Sequence, residues 1–363
     1  MGEITPSSRP VPTNEEILKQ VQALLEGPED DLDTVLLKEM LLGVLKLKDS
    51  PLQTLDLKIL NRTLKELRHA FRVFQPYRNR PKISIFGSAR TQSDDPTYQL
   101  AHRFTKRLVE RGYMVITGGA DGIMRAGQEG AGKEHSFGVN ILLPFEQGPN
   151  PIIADDPKLI TFKYFFTRKL LFLKESNGCA LFPGGFGTHD ECFELLTLAQ
   201  TGKNNPQPIV FLQAPGVHYW DRWLAFLTNQ LLAGQFINEE DLSLFKVCSS
   251  EDEAVEEIEM FYRIYHSLRF VGRLLAIRLK QPLSESHLAR IGTEFSDLLG
   301  EGTFEQRGAL PEEADELELL NLPRLVFNFN RRSAGRLRQL IDCINSAPQS
   351  SRVAPFHSAA TTA

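Results

Sequence analysis

The sequence is poor in cysteine and has no long apolar run, and each of these absences excludes a class of protein. Its 363 residues include only four cysteines, whereas small secreted scaffolds depend on a dense disulfide framework. None of the four forms a C-x-x-C pair, so a structural zinc site is not expected either. No segment approaches the ~20 apolar residues of a membrane span, and the N-terminus lacks the basic-then-apolar order of a signal peptide. We therefore predict a cytoplasmic protein with no membrane partner.

The sequence also has no excess of positive charge. It contains 41 Lys and Arg residues against 46 Asp and Glu residues, which gives a formal net charge of −5. Binding to a nucleic-acid polymer requires a basic face, so the sequence argues against such a partner. At about 150 residues per domain, the length predicts two domains or slightly more, with a core large enough to need no metal or disulfide for stability.

Four segments of the chain differ in pattern. Residues 1–78 combine a Pro- and Ser-rich N-terminus, predicted to be disordered, with three helix patterns. Residues 79–268 alternate short apolar strands with helices, which is typical of a doubly wound parallel α/β sheet, and we expect a helix at Glu251–Leu268 to close this segment. Residues 269–347 follow the order β-α-β-β-α, which predicts a small α+β domain of the split βαβ (ferredoxin-like) kind. Residues 348–363 are predicted to be a disordered tail.

The most informative motif is a glycine-rich loop between a predicted strand and a predicted helix. It has the sequence PGGFGTHDE from Pro183 to Glu191, and the helix is expected at Thr188–Thr201. Glycines let the backbone approach a ligand closely, and the start of a helix offers unpaired N–H groups and positive potential. Thr188 is expected to cap the helix and to donate to a phosphate oxygen. The loop therefore predicts a phosphate site, although a glycine-rich turn with a capping threonine has the same residues.

Other glycines follow neighbouring predicted strands. Gly87 and Ser88 come after one strand, and Gly118, Gly119 and Gly122 come after the next. In doubly wound sheets, ligands bind at the edge formed by the carboxyl ends of the strands. We therefore expect these loops to lie beside the phosphate loop.

Charged side chains accompany these loops. Arg168 follows three aromatic residues and can donate in fork geometry to a phosphate or sugar hydroxyl, or form a surface salt bridge. The carboxylate of Glu191 is explained either by its favourable interaction with the helix dipole or by a position beside the ligand. Glu194, one turn later, is either its partner or an exposed acid. His189 is a candidate acid but is expected to be an outward polar residue, and Cys192, whose thiol pKa the helix start would lower, is expected to be packed in the core.

These motifs resemble those of the LOG ("Lonely Guy") proteins, which have often been mislabelled lysine decarboxylases. Pro183–Glu191 matches the family signature P-G-G-x-G-T-x-x-E. Phe86-Gly87-Ser88, Thr117-Gly118-Gly119 and Thr167-Arg168-Lys169 match in the family's order, and the run Gly138–Pro144 with Glu146 and Gln147 resembles the larger bacterial members. The resemblance covers roughly Lys82–Phe245.

The resemblance implies a Rossmann-like fold and a phosphoribohydrolase. Such an enzyme cleaves the N-glycosidic bond of a nucleoside 5′-monophosphate, here with a purine base or an N6-modified adenine, and releases the base and ribose 5-phosphate. The family's arginine and glutamate fall on Arg168 and Glu191. No cofactor or metal is implied, and a homodimer or higher homo-oligomer is expected, with apolar helices near residues 35–47 and 57–74 extending the interface. The predicted phosphate- and nucleotide-binding residues are Gly87, Ser88, Gly118, Gly119, Gly122, Gly184, Gly185, Gly187 and Thr188.

The sequence departs from the family pattern in one loop. Ala120 stands where a third glycine is usual, and Asp121 stands where proline is usual. We expect the Asp121 carboxylate to face the phosphate pocket, with Arg125 compensating its charge. Two alternatives to the enzyme stay open: a carrier of molybdenum cofactor, which binds a phosphorylated pterin without turnover, and a nucleotide sensor that uses the C-terminal domain as its output.

Overall fold

The computed structural model describes residues 13–27, 31–143 and 148–348. The predicted disorder of residues 1–12 and of the tail after Pro348 lies outside the described residues, as do residues 144–147 of the family-like run. By its internal contacts the chain divides into two units, Met1–Leu64 and Lys65–Ala363.

The first unit is helical, as the periodicity predicts. It contains α1 (Asn14–Glu26), α2 (Leu32–Lys46) and the first half of α3 (Thr54–Phe74). Thr13 caps α1 in a reciprocal capping box with Glu16, which satisfies two backbone donors that the helix leaves unpaired.

The second unit begins within α3 and contains a seven-stranded parallel sheet, which confirms the predicted doubly wound fold. The elements are β1 (Lys82–Phe86), α4 (Pro96–Glu110), β2 (Met114–Thr117), α5 (Ile123–Ala131), β3 (Ser136–Ile141), β4 (Leu159–Phe162), α6 (Phe165–Lys174), β5 (Cys179–Leu181), α7 (Phe186–Gln200), β6 (Ile209–Leu212), α8 (Tyr219–Phe226), β7 (Lys246–Cys248) and α9 (Glu251–Phe261). The strand order is β4-β3-β2-β1-β5-β6-β7, and each neighbouring pair is parallel.

Both faces of this sheet are buried. Along β2, Met114 and Ile116 enter one apolar core while Val115 enters the core on the opposite face, because side chains alternate across a strand. The chain builds outward from β1 to β4 on one side and then returns to place β5 on the other side of β1. This reversal brings the loops that follow β1 and β5 together at the carboxyl edge of the sheet, where sheets of this kind bind ligands.

The C-terminal part consists of β8 (Tyr265–Val271), β9 (Leu274–Leu279), α10 (Glu285–Glu294), β10 (Glu305–Arg307), β11 (Arg324–Asn328) and α11 (Ala334–Ser346). Its strands form a separate antiparallel sheet in the order β10-β11-β9-β8. Strands β9 and β10 run in the same direction and are joined through α10. Strand β11 lies between them and is antiparallel to both, so the predicted split βαβ unit is present. The added strand β8 precedes this unit in the chain.

The predicted helix Glu251–Leu268 is wrong in its last third. The helix ends at Phe261, and the chain enters β8 at Tyr265. The Asn345 side chain, from α11, accepts the backbone N–H groups of Ile264 and Tyr265 at 2.8 and 3.0 Å. These N–H groups are therefore satisfied by a residue about 80 positions away in sequence, a contact that local periodicity does not reveal.

Candidate functional site

The loops after β1 and β5 lie in contact at the reversal point of the sheet. The Ser88 N–H donates to the Pro183 carbonyl at 3.1 Å. A Cβ added to Gly184 would lie 2.1 Å from Thr188 Oγ1 and 3.0 Å from the Ser88 nitrogen. Only glycine fits between these groups, so the two loops form one continuous wall.

This wall borders a cavity of about 810 Å³ at the carboxyl edge of the sheet. It is lined by the catalytic candidates Arg168 and Glu191, together with Arg90, Met124 and Asn140. The cavity is also lined by these predicted phosphate- or nucleotide-binding residues: Gly87, Ser88, Gly118, Gly184, Gly185, Gly187 and Thr188. The structure therefore brings most of the predicted site together around one space.

Two of the predicted binding residues, Gly119 and Gly122, do not line this cavity. Both have positive φ, +74° and +64°, which favours glycine. A Cβ at Gly122 would lie 2.2 Å from the Ser88 carbonyl oxygen. These glycines therefore shape the backbone behind the cavity and do not border its space.

The glycine-rich loop presents the start of α7 to the cavity. The helix begins at Phe186 with Gly185 as its N-cap, and its first backbone bond runs from His189 N–H to the Gly185 carbonyl at 3.1 Å. The N–H groups of residues 186–188 therefore have no acceptor within the helix, and this arrangement binds anions. The expectation that Thr188 caps the helix is wrong: it is the third helical residue, is buried, and packs against Gly184.

Arg168 projects into the cavity from α6, the helix that the sequence analysis did not assign. Its guanidinium lies over the rings of Phe172, at 5.2 Å, and Phe165, at 5.9 Å. A Cβ at Gly118 would lie 3.0 Å from Arg168 Nη2, so this glycine leaves room for the guanidinium. Arg168 is half-buried beside the cavity and is not a simple surface residue.

The start of α6 is held by Glu66, a buried residue of α3 that the sequence analysis missed. Its carboxylate accepts the Lys163 backbone N–H and the Thr167 hydroxyl, both at 2.7 Å. Thr167 immediately precedes Arg168. The available sequence signal was an acidic residue inside the apolar stripe of α3, beside Leu67 and close to Ala70.

Glu191 lies on the first turns of α7 and lines the cavity. Burial raises the pKa of its carboxyl to about 7, although the Arg168 and Lys169 cations pull that pKa down. Lys169 binds Glu194 at 2.6 Å and Asp190 at 2.9 Å. Glu194 is therefore a partner of Lys169 and not an isolated exposed acid, while Glu191 is a carboxyl group that exchanges a proton near neutral pH.

The expectation that His189 is an outward polar residue is also wrong. It packs among Tyr219, Trp220 and Trp223, and its Nε2 lies 2.6 Å from the Tyr219 hydroxyl. Tyr219 in turn donates to the Gly184 carbonyl at 2.5 Å. Burial lowers the pKa of His189, which favours the neutral ring. The ring supports the glycine-rich loop through Tyr219.

Cys192 is fully buried, as expected, but the proposed acidification of its thiol is wrong. Burial raises the pKa of Cys192 to about 12. The neutral thiol is therefore a packing group. Within the described ranges, no group of three or more His, Cys, Asp or Glu side chains is arranged to hold a metal ion. Of the described helices, none has the length and apolar character needed to span a bilayer.

Asp121 and Arg125 lie beside the cavity and not in its lining. Asp121 is exposed and does not border the space, so the expectation that its carboxylate faces the pocket is wrong. Arg125 binds Glu129 at 2.8 Å and lies 3.9 Å from Asp121. Because Glu129 takes the closer contact, Arg125 compensates Asp121 only weakly.

Comparison with known proteins shows which proteins this chain resembles. Residues 118–258 match the family model described as "Possible lysine decarboxylase". The chain is 27% identical to cytokinin riboside 5′-monophosphate phosphoribohydrolase LOG2 of Arabidopsis thaliana, over 42% of this chain and 71% of the relative. It is 28% identical to the LOG protein of Oryza sativa, over 44% of this chain, and 32% identical to the probable enzyme LOGL5 of that species, over 38%. The chain spans 65% and 56% of the length of these two rice proteins. The predicted resemblance to the LOG family is confirmed.

Two solved structures to which this chain is similar are described as follows. The molybdenum cofactor binding protein from Rippkaea orientalis is 18% identical, with a TM-score of 0.37, over 50% of this chain and 96% of that chain. The molybdenum cofactor carrier protein from Chlamydomonas reinhardtii is 22% identical, with a TM-score of 0.34, over the same shares.

Proposed function

We propose, from the premise that this chain is a relative of the LOG phosphoribohydrolases, that it hydrolyses the N-glycosidic bond of a purine nucleoside 5′-monophosphate. The proposal is supported by three features that lie at one cavity. They are the N–H groups at the start of α7 that have no acceptor within the helix, the Arg168 guanidinium and the Glu191 carboxyl group. A carrier of a phosphorylated ligand needs the first feature but does not need Arg168 and Glu191 at the same cavity.

In the proposed reaction, the substrate is anchored at its 5′-phosphate. The backbone N–H groups of residues 186–188 and the Thr188 hydroxyl bind the phosphate at the start of α7. This contact is remote from the bond that breaks, so its binding energy orients the ribose for reaction. Arg168 donates to the ribose hydroxyls or to the phosphate and holds the sugar beside Glu191.

Hydrolysis breaks the bond between C1′ of the ribose and the base nitrogen, which leaves with the bonding electron pair and takes a proton from the solvent. The attacking water supplies the hydroxyl group that bonds to C1′ and gives up its other proton. As the base leaves, the ribose gains oxocarbenium character, which a nearby carboxylate stabilises. Glu191 in its ionised form takes this role and accepts a proton from the attacking water. The products are free base and ribose 5-phosphate.

The test is turnover with purified protein and its Glu191→Gln variant. Each is incubated with AMP, GMP, IMP, CMP, UMP and N6-isopentenyl-AMP in the presence of a metal chelator. Free base is measured by chromatography, and ribose 5-phosphate by a coupled assay. We expect the wild-type protein to release purine bases, and the variant to be slower by about 10²-fold or more while it binds AMP within tenfold of the wild type.

Two results would overturn the proposal. If no nucleotide is cleaved while calorimetry still detects AMP binding, the protein is a carrier or a sensor. If the Glu191→Gln variant keeps wild-type turnover, Glu191 has no part in the chemistry. A preference for pyrimidine nucleotides would keep the reaction and correct the substrate class.

A further inference from the structure

A second cavity, of about 540 Å³, lies between the parallel sheet and the C-terminal sheet. One wall consists of the C-terminal ends of α6 and α7 together with residues 203–207, which follow α7. The other wall is the region from Tyr262 to the start of β8. Its volume lies within the range of small-molecule sites, and none of the residues in the proposed mechanism contributes to it.

Two polar side chains with little exposed surface line this cavity and use little of their hydrogen-bonding capacity. Tyr265 is 2% exposed and Gln207 is 8% exposed. Among the residues that the structure describes, the Tyr265 hydroxyl has no hydrogen-bond partner, and the Gln207 amide has only a 3.9 Å contact to Cys179 Sγ. The nearby Tyr262 differs, because its hydroxyl donates to the Asn177 carbonyl at 2.8 Å. Tyr265 and Gln207 both line the cavity and are therefore available to form hydrogen bonds with a ligand there.

The charge of the lining indicates the sign of that ligand's charge. Lys174 and Lys203 both line the cavity, and no carboxylate does so. Lys174 binds its neighbour Glu175 at 2.6 Å, whereas Lys203 has no ion pair within the described ranges. This concentration of ammonium groups is found in a chain with a formal net charge of −5. Lysine binds phosphate as a point charge, so the lining favours a phosphorylated ligand.

We propose that this cavity is a regulatory site for a small phosphorylated metabolite that bears hydroxyl groups, of the size of a sugar phosphate or a mononucleotide. Lys203 and Lys174 bind its phosphate. Tyr265 and Gln207 form hydrogen bonds with its hydroxyl groups deeper in the cavity. The carboxamides of Asn204 and Asn205 complete a polar lining at the loop.

The connection to the first cavity runs along two helices. Helix α6 carries Arg168 near its start and Lys174 at its end, and α7 carries Glu191 near its start and reaches the second cavity at Leu198. At 1.5 Å per residue, each helix separates the two cavities by roughly 10 Å. A ligand that fixes the ends of α6 and α7 therefore acts on the helices that position both proposed catalytic groups. The binding site stands on its own, whereas its effect on turnover rests on the proposed function.

The experiment uses the full chain, with ribose 5-phosphate and inorganic phosphate as probes. The test protein is the double variant Lys203→Ala, Tyr265→Phe, which removes one ammonium group and one hydroxyl group. The control is Lys106→Ala, which removes an exposed ammonium group of α4 outside both cavities. Circular dichroism and melting temperatures within a few degrees of the wild type verify that each variant is folded.

In calorimetry with ribose 5-phosphate, we expect two sites per chain in the wild type and in the control, and one site in the double variant. If inorganic phosphate binds the second site at least tenfold more weakly than ribose 5-phosphate does, recognition of the sugar hydroxyl groups is supported. If the two bind with equal affinity, the ligand of this anion site is free phosphate. Equal stoichiometry in the wild type and the double variant overturns the site.

The turnover arm separates this proposal from the proposed function. We expect ribose 5-phosphate, bound in the second cavity, to change the rate of AMP hydrolysis threefold or more. The double variant should lack this part of the response, and the control should retain it. An identical response in the wild type and the double variant overturns the regulatory role. If AMP is never hydrolysed but the double variant still loses one binding site, the second cavity is supported and the proposed function fails.

Discussion

At the scale of single residues, the reaction proposed for the first cavity depends on one carboxyl group whose pKa is subject to two opposing influences. Burial raises the pKa of Glu191 to about 7, and the cations of Arg168 and Lys169 pull it down. The active form in the proposed reaction is the carboxylate. A group in this state is half ionised near neutral pH, which is where a general base is most effective.

A pH profile tests this assignment. We expect kcat/KM for AMP to rise about tenfold per pH unit below pH 6 and to level off above pH 8, because Glu191 must lose its proton before it acts. The substrate phosphate also titrates near pH 6, so a matched variant is needed. In Lys169→Met, a cation that lowers the Glu191 pKa is lost, and the midpoint of the profile should move to higher pH. An unmoved midpoint would assign the titration to the substrate.

The limits of sequence-based prediction are visible at the same scale. The positions of Gly184, Arg168 and Glu191 were predictable because each belongs to a short motif next to a strand. The hydrogen bond from Tyr219 to Gly184 was not predictable, because the two residues are 35 positions apart. Thr188 was misplaced for a local reason: the helix begins two residues earlier, at Phe186, with glycine instead of threonine at its cap.

At the scale of secondary-structure elements, α6 depends on a contact with α3. Glu66 holds the Lys163 N–H and the Thr167 hydroxyl at the start of α6. Hydrogen bonds to a buried charged group contribute about 1.5–3 kcal/mol each. Their loss leaves the helix that carries Arg168 less constrained, so Glu66 is a positioning residue in the proposed mechanism.

We expect Glu66→Ala to lower kcat by about tenfold or more with a smaller change in KM, because a displaced Arg168 affects the reacting geometry more than phosphate binding. Glu66→Gln retains a carbonyl oxygen for the Lys163 N–H and should recover part of the activity. Steady-state kinetics of both variants, with melting temperatures measured in parallel, check this. If both variants lose stability but keep the wild-type kcat, Glu66 has only a structural role.

The C-terminal sheet depends on a buried ionic cluster. Glu313 is fully buried and binds the side chains of Arg278, at 2.7 Å, and Arg324, at 3.1 Å. Burial would raise the pKa of Glu313, but the Leu310 N–H and the two arginines outweigh it and hold that pKa below its usual value. Removing one partner of a buried pair typically costs 3–5 kcal/mol, since the other charge stays buried.

Glu313→Gln should therefore lower the free energy of unfolding by about 3–5 kcal/mol, measured by urea denaturation at pH 7. The lowered pKa of Glu313 means that its contribution is present above the pKa of the unfolded chain and is lost as pH falls through the lower folded value. The difference between wild type and variant should consequently shrink in acid. Glu305→Gln, an exposed residue of β10, is the control. A constant difference from pH 7 to pH 3 would contradict the assignment.

At the scale of the whole molecule, the first cavity is bordered by aromatic side chains that the single chain leaves exposed. Phe186 is 96% exposed, and Phe165 and Phe166 are 48% and 54% exposed. Phe186 and Phe165 line the cavity, and Phe166 follows directly on α6. Clustered exposed aromatics typically mark an interaction surface. The sequence analysis expects a homodimer, which is the most common symmetric assembly. We therefore expect a second copy of the chain to cover this surface.

We expect sedimentation velocity to show at least a dimer for the wild-type protein. Phe166→Glu places a charge in the proposed interface without altering a residue that lines the cavity, and it should shift the protein to monomer at micromolar concentration. Phe236→Glu is the matched control, because Phe236 is 76% exposed on the loop after α8 and does not line the cavity. Since Phe186 and Phe165 border the reacting space, loss of the dimer should also reduce AMP turnover. A fully active monomeric Phe166→Glu protein would show that the aromatic border serves some other contact and that each chain forms a complete site.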